Sequence, residues 1–99
     1  MTVVDNPAEH RFVTTVDGHE AQLVYEIEGD RLVLVHTEVP DELGGQGLGG
    51  QLVKAAVDRA EASGETIVAR CPFAHSWLER HPDEAARASV DLSVPADES

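Results

Sequence analysis

The segment between Val39 and Leu52 constrains the fold most, because it holds five of the eight glycines of the chain. It separates an alternating, β-branched segment from a long amphipathic helical pattern. Glycine in a helix costs roughly 1 kcal/mol relative to alanine, so a cluster of glycines at a helix start requires a reason. Backbone N–H groups at a helix N-terminus bind anions, and glycine lets a ligand approach them closely. The cluster therefore predicts an anion-binding turn for a phosphate-bearing cofactor.

The composition is that of one small acidic domain. The chain has 99 residues and a formal charge of −12 at pH 7. Nucleic-acid binding relies on clustered Lys and Arg, so we expect no nucleic-acid partner. The negative charge suits a cationic substrate, and the alternative is an acidic surface that only confers solubility. We expect a cytoplasmic protein with no membrane partner, since no apolar run could span a bilayer and Cys71 is the single cysteine.

The first half of the chain predicts three successive antiparallel strands. Apolar and polar residues alternate in each of them, except that the third begins with a continuous apolar run, typical of burial on both faces. Asp17-Gly18 and Gly29-Asp30 separate the strands, and such dipeptides favour tight hairpin turns. The predicted strands cover residues 12–16, 21–27 and 32–39.

The second half predicts a helix, a strand and another helix. Apolar residues recur on one helical face from Leu48 to Ala60, and Gly64 is a typical C-terminal cap. The strand at 66–69 follows a helical crossover, so we expect it to run parallel to the third strand. Pro72 begins the second helix, near 73–80. The fold class is α/β (α+β) in the order β-β-β-α-β-α, with a flexible N-terminus (1–9), a folded domain (10–88) and a possible edge strand and loose tail (89–99).

Three kinds of phosphate-binding turn compete for the glycine segment. A nucleoside-triphosphate loop requires Gly-Lys-Ser/Thr at its end, and Gly49-Gly50-Gln51 supplies neither the cation nor the hydroxyl. Gly45-x-Gly47-x-x-Gly50 matches the dinucleotide pattern, but the following strand ends in Arg70-Cys71 instead of an acid. The third kind rests on a resemblance that extends beyond the turn.

Four short blocks stand in order along the chain. They are His36-Thr37-Glu38-Val39-Pro40, Gly45-Gln46-Gly47-Leu48-Gly49, Cys71-Pro72-Phe73 and Arg80-His81-Pro82-Asp83. The glycine block resembles the Gln/Arg-x-x-Gly-x-Gly/Ala signature of the GNAT-type N-acetyltransferases. Together the four blocks resemble a subfamily of very short, stand-alone GNAT-like domains. The resemblance covers residues 10–84.

The resemblance implies a minimal GNAT-like fold that binds acetyl-CoA and acetylates an amine, either a protein side chain or a small polyamine. It places the pyrophosphate of acetyl-CoA at the glycine turn. Phe73 and Trp77 would line the channel for the pantetheine arm, or else pack in the core. Arg80 would meet a phosphate, or else pair with nearby acidic residues. The predicted cofactor-binding residues are Val39, Gly44, Gly45, Gln46, Gly47, Leu48, Gly49, Gly50, Phe73, Trp77 and Arg80.

The chain departs from the family pattern at two positions. Gly44 stands at the first signature position, so no Arg or Gln side chain is available there and backbone groups must bind more of the phosphate. Trp77 stands where short relatives often carry a tyrosine, and an indole cannot protonate a thiolate. The chain therefore has no tyrosine at this position to protonate the departing thiolate.

Three residues are candidates for catalysis. Cys71 lies at a predicted helix start, where free N–H groups favour a thiolate, so it could protonate the departing thiolate or accept the acetyl group. The alternative is an inert buried thiol. Glu38 and His36 share one face of the third strand, and either could accept the amine proton. Their alternatives are an exposed carboxylate and an ordinary strand histidine.

The sequence leaves two other functions open. A non-catalytic module that binds CoA or acyl-CoA would account for the missing signature side chain and tyrosine. A purely structural interaction domain would leave the five glycines unexplained. No His, Cys and Asp spacing suggests a metal site. The sequence indicates neither the acceptor amine nor the oligomeric state.

Overall fold

The computed structural model describes residues 3–93. Its six strands form one mixed sheet in sequence order, β1-β2-β3-β4-β5-β6. The first four strands pair antiparallel, whereas β5 and β6 each run parallel to the preceding strand. The strands are β1 (Val4–Asn6), β2 (Arg11–Val16), β3 (His19–Glu28), β4 (Arg31–Glu38), β5 (Thr66–Ala69) and β6 (Ser89–Asp91).

Both predicted hairpins are present. Val16 pairs with His19 and Glu28 pairs with Arg31, so each connection has two residues. Asp17 and Gly18 both have positive φ, at 51° and 78°. A type I′ turn requires positive φ at both central residues, and it matches the twist of the flanking strands. The dipeptide therefore fixes the β2–β3 register.

Three helices follow β4, and the first two cover one face of the sheet. They are α1 (Leu48–Ser63), α2 (Pro72–Arg80) and α3 (Pro82–Ala85). The α1 stripe predicted from Leu48 to Ala60 is buried. It packs with β-strand residues of alternating position, such as Leu23, Leu34 and Ile67, in one core cluster. Leu32, Val33 and Leu34 are all at most 2% exposed, as the continuous apolar start of this strand predicts.

The predicted fold class is confirmed, and the structure adds β1 and α3 to the predicted elements. The prediction of a flexible N-terminus is corrected for Val4–Asn6, which pairs with β2. Three-residue strands show no periodicity, so sequence alone could not reveal β1. The possible edge strand is present as Ser89–Asp91, paired with β5. The predicted loose tail extends into residues 94–99, which lie outside the described residues.

A cluster around Arg59 anchors β1 to the rest of the fold. Arg59 of α1 donates to Asp5 Oδ2 (3.0 Å), to Tyr25 Oη (2.8 Å) and, through two nitrogens, to Glu65. The Tyr25 hydroxyl donates to Asp5 Oδ1 at 2.5 Å. Burial, followed by the hydrogen bond to Asp5, raises the pKa of Tyr25 to about 12. These charge-assisted bonds connect β1, β3, α1 and the loop before β5.

Candidate acetyl-donor site at the glycine turn

The glycine turn connects β4 to α1 and leaves the start of α1 uncapped by any side chain. After Pro40, a 3₁₀ turn at Asp41–Leu43 redirects the chain. Gly45 and Gly47 then have φ of 80° and 71°, which favour glycine. The first i→i−4 bond at this end joins Gln51 N–H to Gly47 O at 3.1 Å. The N–H groups of residues 48–50 therefore have no helical acceptor and form the kind of terminus that binds anions.

Next to this turn, β4 and β5 separate. Their pairing ends at Leu34 and Ala69, and both Arg70 N–H and Cys71 N–H donate to Leu34 O, at 3.0 and 2.9 Å. On its other side β4 carries a bulge at Val35, because Tyr25 pairs with Leu34 while Val24 pairs with His36. A bulge bends a strand and increases its twist. Among the residues that the structure describes, β4 pairs only with β3 beyond Leu34, and the sheet opens as a wedge.

A cavity of about 480 Å³ lies between this wedge and the glycine turn. Its walls combine turn glycines with the apolar side chains of Val39, Pro40, Leu43, Leu48 and Phe73. Phe73 is 40% exposed, which is unusual for so large an apolar residue in this fold. An apolar cavity with a row of free N–H groups at one end suits a ligand with an apolar arm and an anionic group. The remaining lining residues are Thr37, Asp41, Gly44, Gly45, Gly47, Gly49 and Gly50.

Two of the five glycines serve helix packing. A Cβ on Gly49 would lie 2.7 Å from Cζ of Phe73, and one on Gly50 would lie 2.7 Å from Nε1 of Trp77. Real Cβ atoms essentially never approach a neighbour so closely, so α1 and α2 make contact here because both positions are glycine. A Cβ on Gly45 or Gly47 would meet no atom within 4 Å. The sequence interpretation attributed all five glycines to a ligand, whereas Gly49 and Gly50 are also required for the contact between α1 and α2. For the turn itself the ligand remains a prediction.

A second, more polar cavity of about 440 Å³ adjoins the first. Thr37, Val39 and Pro40 line both cavities, while Glu20, Gln22 and Glu38 line only the second. Leu23, a core residue, pairs with Thr37, whereas Gln22 pairs with Glu38. Because side chains alternate across a strand, Thr37 lies on the helix-covered face and Glu38 on the opposite face.

The two predicted bases are brought together. His36 Nε2 lies 3.2 Å from Glu38 Oε1, and Gln22 Nε2 donates to the same oxygen at 3.3 Å. The His36 and Glu38 side chains are 40% and 58% exposed, so both are accessible to a substrate. Glu38 lines the second cavity.

Cys71 lies behind the cavities. It is 2% exposed and precedes α2, with Pro72 at the first helical position. Its Sγ lies 3.2 Å from Thr37 Oγ1. Thr37 therefore contacts the thiol and also lines both cavities.

Three other predicted cofactor residues lie away from the cavity lining described above. Trp77 packs against Gly50 and stacks on His81, with ring centroids 4.1 Å apart. Arg80 Nε donates to the Ser76 carbonyl at 3.4 Å. Gln46 is exposed within the turn. Within residues 3–93, no group of three or more His, Cys, Asp or Glu residues is arranged to hold a metal ion, and no helix is long and apolar enough to cross a membrane.

Comparison with protein families identifies the family to which the chain belongs. The sequence model of the GCN5-related N-acetyl-transferase family matches residues 11–87, most of the chain. The chain belongs to that family. The matched segment includes β2 to α3 and both cavities, so this member carries its site within the family domain.

One solved structure supports the assignment of the GCN5-related fold. It is the NMR solution structure of a GCN5-like candidate N-acetyltransferase from Staphylococcus aureus, which is 28% identical in sequence. The alignment covers 98% of this chain and 91% of that one, with a TM-score of 0.70. A comparison with curated proteins finds no match.

The sequence interpretation missed Thr37 and the residues of the second cavity on β3. The signal for Thr37 was present, because it lies between His36 and Glu38. If those two share one face, strand alternation places Thr37 on the other face, toward the helices. Glu20 and Gln22 gave no local signal, since only the β3–β4 register brings them beside Glu38.

Proposed function

We propose that this GCN5-related protein transfers the acetyl group of acetyl-CoA to a primary amine. The observation that carries the proposal is the uncapped start of α1 at the mouth of an apolar cavity where β4 and β5 separate. Acetyl-CoA has the matching chemistry: a diphosphate, an apolar arm and a reactive thioester at its end.

The chain holds the donor mainly through its backbone. Free N–H groups of residues 48–50 and the positive end of α1 attract the diphosphate. Gly45 and Gly47 leave open space on the approach, since a Cβ on either would meet no atom within 4 Å. Phe73 and Leu43 give the pantetheine arm an apolar wall. Thr37 lines both cavities, so we expect the thioester to lie near it.

The second cavity suits the amine. An alkyl ammonium group with an ordinary pKa near 10.4 must lose a proton before it can attack a carbonyl at neutral pH. Glu38 lines this cavity and lies within 3.2 Å of His36, so the pair can accept that proton. Glu20 adds a second carboxylate that attracts a cation. Together they favour a cationic acceptor such as a lysine side chain or a small polyamine. Cys71 is the single cysteine of the chain, which agrees with a reducing, cytoplasmic setting.

Calorimetry with acetyl-CoA tests the proposal directly. We expect saturable binding in the micromolar to millimolar range that CoA without the acetyl group also shows, because the diphosphate is common to both. Absence of binding at millimolar acetyl-CoA would overturn the proposal. A panel of amines, with released thiol as the readout, tests transfer. Binding without turnover on any amine would instead support the non-catalytic CoA module that the missing side chain at Gly44 suggests.

A further inference from the structure

The departing sulfur of the donor requires a proton that no tyrosine in this chain is placed to give. The chain has one tyrosine, Tyr25. Its hydroxyl donates to Asp5 and accepts from Arg59, in the cluster that anchors β1. Trp77, at the position where tyrosine is expected, packs against Gly50. The acid must therefore be another group at the point where the two cavities meet.

Of the three residues that line both cavities, Thr37, Val39 and Pro40, Thr37 carries a hydroxyl. Sγ of Cys71 lies 3.2 Å from Thr37 Oγ1. An aliphatic hydroxyl alone is a very weak acid, whereas a free cysteine thiol ionises near pH 8.5. A hydroxyl that receives a proton from a thiol while it gives up its own acts as a much stronger donor than an isolated hydroxyl. The pair thus joins the hydroxyl of a half-buried residue that lines the cavities to a buried thiol.

We propose that the Thr37 hydroxyl is the catalytic acid that protonates the departing sulfur and that Cys71 is the positioning residue that resupplies its proton. The inference rests on the proposed function. It assigns to Thr37 a role that the sequence analysis gave to Cys71. The role passes from Cys71 to Thr37 because the Cys71 thiol is only 2% exposed.

The step balances in atoms and electrons. The ammonium first loses one proton to the Glu38–His36 pair, which releases it to solvent. The neutral amine nitrogen then forms a bond to the thioester carbonyl carbon, and the proton that the bonded nitrogen carries in excess passes to the same pair. The carbon–sulfur bond then breaks and its electron pair stays with sulfur. Thr37 Oγ1 gives its proton to that sulfur as Cys71 Sγ gives its proton to Oγ1. A proton from solvent returns to Cys71 through the Thr37 hydroxyl, and the Glu38–His36 pair gives its second proton to solvent. The reaction therefore releases one proton overall and requires no co-reactant.

The same geometry argues against an acetyl-cysteine intermediate. An acetyl group on Sγ would need space beside a thiol that is only 2% exposed and belongs to the buried core cluster. Thr37 would also have to move away from its contact with Sγ. Direct transfer to the amine needs neither movement.

The variant Thr37→Val tests the assignment, because it keeps the shape of the side chain and removes the hydroxyl. General acids contribute roughly 100-fold or more, so we expect kcat with acetyl-CoA to fall about 100-fold and the Kd for acetyl-CoA to stay the same. Thr37→Ser should restore most of kcat. Cys71→Ala should lower kcat by at least about tenfold, since the hydroxyl loses its proton supply.

The decisive measurement compares acetyl donors. An aryl thioester releases a thiolate that is stable without protonation, so the deficit of Thr37→Val should nearly disappear with S-acetyl thiophenol. A merely structural role would leave equal deficits with both donors and would overturn the inference. Thr66→Val makes the same change at the far end of β5 and should behave as wild type.

The outcomes separate this inference from the proposed function. If wild-type protein neither binds acetyl-CoA nor releases thiol, the proposed function fails. If wild-type protein is active and Thr37→Val is equally active, the function stands and the role of Thr37 is refuted.

Discussion

The anion-binding role of the glycine turn is tested most sharply by Gly47→Val with Gly64→Val as its matched control. Gly47 and Gly64 lie at the two ends of α1, with φ of 71° and 80°. A Cβ on either would meet no atom within 4 Å. The two substitutions therefore introduce the same backbone strain without a clash, and only one of them lies at the proposed diphosphate site.

The expected magnitudes follow from this geometry. An L side chain in the left-handed region costs about 1–2 kcal/mol, so both variants should lose that much stability or slightly more. For a domain of this size each kcal/mol corresponds to a fall in Tm of about 4–8 °C. In Gly47→Val the added side chain also occupies the approach to the N–H groups. Loss of one charge-assisted hydrogen bond, about 1.5–3 kcal/mol, corresponds to at least tenfold weaker binding of acetyl-CoA.

Thermal unfolding and calorimetry together measure both effects. We expect equal falls in Tm for the two variants and a loss of affinity in Gly47→Val alone. If Gly47→Val bound acetyl-CoA as tightly as wild-type protein, the N-terminus of α1 would not be the diphosphate site. Equal weakening in both variants would show that strain, and not access to the N–H groups, controls binding.

Three further predictions concern stability. In native protein the absorbance of the single tyrosinate, from Tyr25, should titrate near pH 12 instead of near 10 as in urea. By linkage the free energy of unfolding should fall by roughly 3 kcal/mol over that interval, and a native midpoint near 10 would contradict the burial argument. The hydrogen bond from Arg59 lowers the pKa of Glu65, so this stabilisation is present above the unfolded pKa and is lost as pH falls through the lower folded pKa. In Glu65→Gln, urea titrations at several acidic pH values should therefore show a smaller loss of unfolding free energy per pH unit. An unchanged dependence on pH would refute this prediction. Gly50→Ala should shift the fluorescence of Trp77 and destabilise the fold. The cost of overpacking, about 1–3 kcal/mol, exceeds the gain in helix propensity of roughly 1 kcal/mol. A more stable variant with unchanged fluorescence would show that the Trp77 ring moves aside at no cost.

Much of the fold was predictable because its signals are local. Asp17-Gly18 specifies its own hairpin turn, and the spacing of the apolar residues in α1 predicts which face of the helix is buried. By contrast, β1 depends on Arg59, which lies more than 50 residues away in sequence from Asp5. A three-residue strand held by such a contact leaves no pattern in its own segment.

The candidate site was predictable in part for the same reason. The glycine turn stands out in composition, and His36 and Glu38 share a face by simple alternation. The depth of Cys71 and the contacts of Gly49 with α2 arise only when helices pack on the sheet. Likewise, the bulge at Val35 reflects how β4 meets two different neighbours, which no single segment encodes.

The presence of two adjoining cavities with different lining residues has a kinetic consequence for the proposed transfer. Acetyl-CoA can occupy the first cavity while the amine enters the second. Neither product therefore has to leave before the second reactant binds. Initial-rate plots at several fixed amine concentrations should accordingly give intersecting lines, the mark of a ternary complex, and not the parallel lines of a double-displacement route.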